Sequence, residues 1–146
     1  MKNKLLHDKR LNKYAFTCYG HPSLLATHNS TLEFTKDKNL TTKGNCIVGI
    51  RCDFDEKKIT AFAQKYDTAE ITLRIGEEQY TFTSSLNKNF LDAHELVFRR
   101  TEFTSPRTLG VRCTTTAQMI PRTMMQQMKN PKQTMMVELH GKKTTQ

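Results

Sequence analysis

The chain has 146 residues, 36% of them hydrophobic and 25% charged, which fits one globular domain able to bury a core without disulfides or structural metal. Its 23 Lys and Arg against 14 Asp and Glu leave a formal net charge of +9, a balance that favours polyanions such as RNA, DNA or anionic headgroups without choosing among them. No apolar stretch approaches the ~20 residues of a membrane span, the basic N-terminus lacks an apolar signal core, and the four cysteines form no CxxC pair. A cytoplasmic protein with reduced thiols is expected.

Residues 1–13 read as a basic flexible arm and 142–146 as a polar tail. Between them lies one domain, 14–141. Tyr14–Gly20 alternates as a strand, with Tyr14, Phe16 and Cys18 inward. His21-Pro22-Ser23 is a loop. Thr31–Lys36 alternates again, with Leu32 and Phe34 on one face and Glu33 on the other. A turn-rich connection through Gly44 leads to a strand whose inward face is Cys46, Val48, Ile50 and Cys52. Ile59, Phe62, Ala63 and Tyr66 follow at helix spacing, with Asp53 or Asp55 suited to the helix N-terminus. Ala69–Ile75 and Tyr80–Ser85 read as a hairpin. Glu95–Thr101 and Thr108–Cys113 are strands. Ile120, Met124 and Met128 form a second helix stripe, with Pro121 in its first turn, and Thr134–His140 closes the chain. The methionines of this stripe read as core filler.

Segments recur in the same order. VGIRC at 48–52 matches LGVRC at 109–113, YAFT at 14–17 matches YTFT at 80–83, and ITLRIG at 71–76 echoes MVELHG at 136–141. The shift that aligns the two YxFT segments also carries His28 onto His94, Thr35 onto Thr101 and Glu33 onto Arg99. A collinear series of this kind points to internal duplication. The expected fold is therefore α+β: two pseudo-symmetric β-β-β-α-β repeats, 14–76 and 80–141, forming one mixed or antiparallel barrel-like sheet with two helices.

Two chemistries are open. His21, His28, Cys46 and Glu33 have donor types that suit zinc, although the spacing matches no diagnostic metal motif and period two puts Glu33 and Cys46 on opposite faces. Cys46 beside a histidine could serve as a nucleophile, or all four could be structural. Arg51 and Arg112 each follow a glycine by two positions, beside clefts where they could grip phosphate, or they belong to a solvated outer face. Glu33 and Arg99 at equivalent positions suggest an ion pair near the repeat axis.

GHPSLLATHNSTLEFTKDKNLTTKGNCIVGI and VFRRTEFTSPRTLGVR resemble an archaeal domain-of-unknown-function family, number 371, over residues 14–139. The resemblance rests on Gly-His, Ala-Thr-His, Thr-x-Glu-x-Thr, Gly-Asp-Cys-Ile and Arg-Thr-Leu blocks. Asn45 stands where that pattern has Asp, and Cys113–Ala117 departs from its Ala-Asp-Lys-Ala-Ala block. The resemblance implies a cytoplasmic archaeal protein and transfers no reaction or cofactor. The expected function is a small basic RNA-binding protein, on the ribosome or tRNA. Its phosphate-gripping residues would be Arg51, Arg99, Arg100, Arg112, Lys36 and Lys43, with loop lysines and Tyr19 in support. The alternative is a metal-dependent or cysteine-based enzyme using His21, His28, Glu33 and Cys46.

Overall fold

Period-two alternation builds the strands, and tertiary pairing decides their length. The computed structural model describes residues 12–40 and 44–144. Its elements are β1 (Lys13–Tyr19), β2 (Thr31–Thr35), β3 (Ile47–Gly49), α1 (Glu56–Lys65), β4 (Thr68–Ile75) and β5 (Glu78–Leu86). They continue with β6 (Glu95–Arg99), β7 (Thr108–Val111), a 3-10 turn (Ala117–Met119), α2 (Arg122–Gln127) and β8 (Thr134–Lys142). The fold is α+β. All eight strands form one sheet in the order β1-β8-β4-β5-β7-β6-β2-β3. It is mixed: β2–β3 and β6–β7 are parallel, and the other pairs are antiparallel.

The sheet is not a closed barrel. Its two edge strands meet through a single bridge, in which Tyr19 and Ile50 exchange N–H···O bonds of 2.8 and 2.9 Å. The strand expected from Cys46 to Cys52 is therefore cut to Ile47–Gly49. Beyond Gly49 the chain turns away: Arg51 adopts φ 51°, a left-handed conformation that breaks a ladder.

Local signals hold where they rest on periodicity. In α1, Ile59, Phe62 and Ala63 are buried, and Tyr66 caps the stripe. Asp55 is the N-cap, its Oδ1 accepting from Lys58 N–H at 3.0 Å. Pro121 lies at the N-cap of the short α2, and Met124, Met125 and Met128 pack inside. The β4–β5 hairpin turns at Gly76, whose φ of 58° suits a residue without Cβ.

The core centres on a string of rings. Phe16 meets Phe34 edge-to-face at 5.7 Å, Phe82 meets Phe98 at 5.7 Å, and Phe34 and Phe98 join the two pairs at 6.3 Å. Each such contact adds about 0.5–1.5 kcal/mol beyond burial. β2 and β6 are buried on both faces, because the 24–30 stretch and the 3-10 turn cover the side away from the rings. Gln118 N–H donates to His28 O and Thr27 N–H to Asn45 O.

β2 pairs with β6 so that Glu33 faces Val97 and Thr31 faces Arg99. From Thr17 to Thr35 the chain advances 18 positions, and from Thr83, which matches Thr17, to Arg99 it advances 16, two fewer. Cys52 N–H thus donates to Thr35 O as Cys113 N–H donates to Arg99 O. Arg51 N–H donates to Asp37 O as Arg112 N–H donates to Thr101 O. These bonds differ by two positions from the sequence match that set Glu33 on Arg99, Thr35 on Thr101 and His28 on His94. The counterparts of Thr35, Asp37 and Glu33 in the bonding pattern are Arg99, Thr101 and Val97. Among the described residues no helix is long and apolar enough to cross a membrane. Of the arm only Asn12 and Lys13 are described, and of the tail 142–144; Lys13 opens β1 and Lys142 ends β8.

Candidate functional site

The cationic residues fall in two groups. Arg99, at the end of β6, donates from Nε to Thr108 Oγ1 at 2.9 Å and places its guanidinium 5.0 Å from the Phe103 ring centre. Phe103 is 62% exposed, unusual for so large an apolar ring. Arg100 follows, with Nη1 3.8 Å from Met119 Sδ, and Met119 is itself exposed. Arg112, at φ 50°, reaches Glu102 at 3.6 Å and Ser85 Oγ at 3.4 Å. Arg99, Arg100 and Arg112 thus belong to one segment around β6 and β7. Lys36 and Arg51 form the other group. Lys36 Nζ lies 4.5 Å from the Phe54 ring centre, and Arg51 stacks 4.1 Å over Tyr19. Lys43 lies outside the described residues.

The His/Glu/Cys set separates. His21 Nδ1 accepts from Ser23 N–H at 3.0 Å. His28 Nδ1 accepts from Ser30 and Thr31 N–H at 3.1 and 3.2 Å. Each ring ties its own loop. His94 bonds Asp37 through Nε2. Among the described residues, no group of three or more His, Cys, Asp and Glu side chains is placed to hold a metal ion.

Glu33 and Cys46 do meet, contrary to the period-two expectation. Cys46 precedes β3 and escapes its alternation. Glu33 N–H donates to Cys46 O, and Cys46 Sγ lies 3.6 Å from Glu33 Oε1. Glu33 is 5% exposed. Its ion-pair partner is Arg107, not Arg99: Arg107 Nη1 reaches Glu33 at 3.3 Å and Glu95 at 2.9 Å. Burial pushes the Glu33 carboxyl up to about 7, and the neighbouring Glu95 charge adds to the shift while Arg107 opposes it. Burial, then Glu33, pushes the Cys46 thiol up to about 11. At neutral pH Cys46 is therefore a protonated thiol and a poor nucleophile. Burial, then the charge of Arg107, lowers the pKa of Arg99.

Sequence reasoning missed Glu95, Arg107 as a site residue, and Phe103. Arg107 had one signal, the Arg-Thr-Leu block that carries the family resemblance. Glu33, Cys46, Arg107 and Thr108 all belong to such blocks, and the fold brings them to one region of the sheet.

Comparison with known proteins places the chain in a family. The model of the family described as Domain of unknown function (DUF371) matches residues 16–142. The chain is also 31% identical over 123 residues to an uncharacterized protein of Methanocaldococcus jannaschii, covering 78% of this chain and 89% of that one. The protein thus belongs to the DUF371 family.

Proposed function

We propose that the protein binds single-stranded regions of RNA, ribosomal or transfer RNA being the class of partner, through the face that carries Arg99, Arg100 and Phe103. The observation that carries this reading is the exposed Phe103 ring beside the Arg99 guanidinium, with Arg100 alongside. An unpaired base can stack on such a ring while guanidinium groups hold the adjacent phosphates. The net charge of +9 supports the same partner. Fluorescence anisotropy with a labelled RNA of ~10 nucleotides tests it. Phe103→Ala should weaken binding by about 1–3 kcal/mol, and Arg99→Ala should weaken it too. Since Phe103 is exposed, its loss should leave stability within about 0.5 kcal/mol. Unchanged affinity in both variants overturns the reading.

The enzyme alternative survives in a narrower form. A buried carboxyl pushed up to about 7 is suited to general acid–base work at neutral pH, whereas His21 and His28 lie in separate loop roles. Glu33→Gln separates the two readings, since RNA affinity should not change with it.

The finer architecture of this reading is an internal duplication, 14–76 and 80–141. The paired backbone bonds at Arg51 and Arg112 support it, as do the ring pairs Phe16–Phe34 and Phe82–Phe98. So do two further correspondences. Thr17 N–H donates to Asp53 Oδ1 and Thr83 N–H to Thr114 Oγ1. A Cβ on Gly49 would meet Cys18 Sγ, and one on Gly110 would meet Ser84 Oγ. Across the sheet, the Tyr19–Ile50 bridge corresponds to the Ser85–Val111 pair of β5 and β7.

A further inference from the structure

We infer that the cleft at the sheet seam, walled by His21, Lys38, Asn39 and Arg51, is a binding site for a terminal phosphate, the dianion of a phosphomonoester. That the phosphate is the end of an RNA rests on the reading above; the site itself does not.

The cleft opens where β1 ends and Ile50 bridges back to Tyr19. It has a volume of about 380 Å³, and Gly20 and Pro131 also line it. That is near the lower end of small-ligand sites, ~300–1,000 Å³, and suits one nucleotide better than a continuous strand. Among the described residues no Asp or Glu lines it. Asp37, next to Lys38 in the chain, is engaged by His94.

The guanidinium is fixed before any ligand arrives. Arg51 has φ 51°, held by its N–H bond to Asp37 O at 2.9 Å. Its Cζ lies over the Tyr19 ring, 4.1 Å from the ring centre, and Nη2 donates to Pro131 O at 3.0 Å. A stacked guanidinium loses little freedom on gripping an oxyanion and can offer it two parallel donors. His21 is set as well. Because Nδ1 accepts the Ser23 N–H, the proton of the neutral ring sits on Nε2, which makes that nitrogen a donor. Two full cations and an imidazole donor match a dianion with several free oxygens better than a singly charged diester.

Arg112 provides a comparison within the molecule. Its φ of 50° and its N–H bond to Thr101 O repeat those of Arg51. Its surroundings differ. Glu102 stands in the place of Lys38 and lies 3.6 Å from the guanidinium. Asn87, in the place of His21, spends its side chain on Thr108 O and Asn89 N–H. The same backbone device is thus neutralised on one side of the sheet and left open to an anion on the other.

The test uses the whole protein and one RNA of ~10 nucleotides, made with a 5′-phosphate or a 5′-hydroxyl, together with AMP as competitor. The phosphorylated form should bind about tenfold tighter, the size of one good charge-assisted contact. AMP should displace it and shift the amide signals of His21 and Arg51. The advantage should vanish in Arg51→Asn, which removes the guanidinium but tolerates a left-handed backbone, and persist in Arg112→Asn. Should Arg51→Asn fail to fold, Lys38→Ala on the exposed loop must abolish the advantage. Equal affinity of the two RNAs, with no AMP-induced shifts at the cleft, overturns the site even if Phe103→Ala weakens both. AMP binding at the cleft without affinity for either RNA keeps the site and overturns the RNA reading.

Discussion

Glu33 sits on a strand flanked by Leu32 and Phe34, and its carboxyl is held away from water under Arg107. Its folded pKa, pushed up to about 7 from 4.5, sets a sign for stability. Between these two values the folded state binds more protons than the unfolded state, so stability falls as pH rises through the window. A shift of this size is worth roughly 3 kcal/mol. Carboxylates with lowered pKa, such as Asp67 at about 2, act oppositely but at lower pH. Glu33→Gln should therefore flatten the loss of stability between about pH 4.5 and 7. Urea unfolding of both proteins across that window reads the difference, and identical slopes would refute the buried-carboxyl assignment. None of this was visible in the alternation, which put Glu33 on the outer face. The covering chain and Arg107 come from far along the sequence, and no local periodicity reports on them.

At the level of elements, α1 and β1 were legible because their signals are local. Ile59, Phe62, Ala63 and Tyr66 follow one helical stripe, and Phe16 and Cys18 follow one strand face. The length of β3 was not legible, because the left-handed turn at Arg51 is set by its bond to Asp37 O rather than by residue type. Close approaches were also hidden. A Cβ on Gly20 would lie 2.1 Å from Met128 O and 2.4 Å from Asn130 O, and backbone at that range must move. Gly20→Ala should cost about 2–3 kcal/mol by overpacking. Asp55→Ala loses the α1 cap and should cost about 1 kcal/mol. Thermal unfolding orders the two, and an Asp55→Ala cost larger than that of Gly20→Ala would contradict the packing at the start of the seam.

At the scale of the molecule, the sequence pointed to an α+β fold with two helices, but not to β8 lying between β1 and β4 or to the open seam. The collinear matches gave the order of segments, but around Glu33 they differ by two positions from the bonding pattern. The described ends meet: Gly141 N–H donates to Asn12 O at 2.8 Å, and Asn12 Nδ2 donates back at 2.6 Å. A circular permutant with linked ends and new termini at Gly76–Glu77 should keep a cooperative transition within a few degrees of the parent. A non-cooperative product would contradict the arrangement of β1, β8 and β4.

Charge is the other property of the whole. A net charge of +9 can merely keep a protein soluble, or it can serve a polyanion. The salt dependence of RNA affinity separates the two. If Arg99, Arg100 and one more cation each neutralise a phosphate, log K should fall against log salt with a slope of about −2, the value for ~3 contacts to a single strand. Phe103→Ala should lower the affinity without changing that slope. A flat salt response, or no binding at ~50 mM salt, would contradict RNA as the partner.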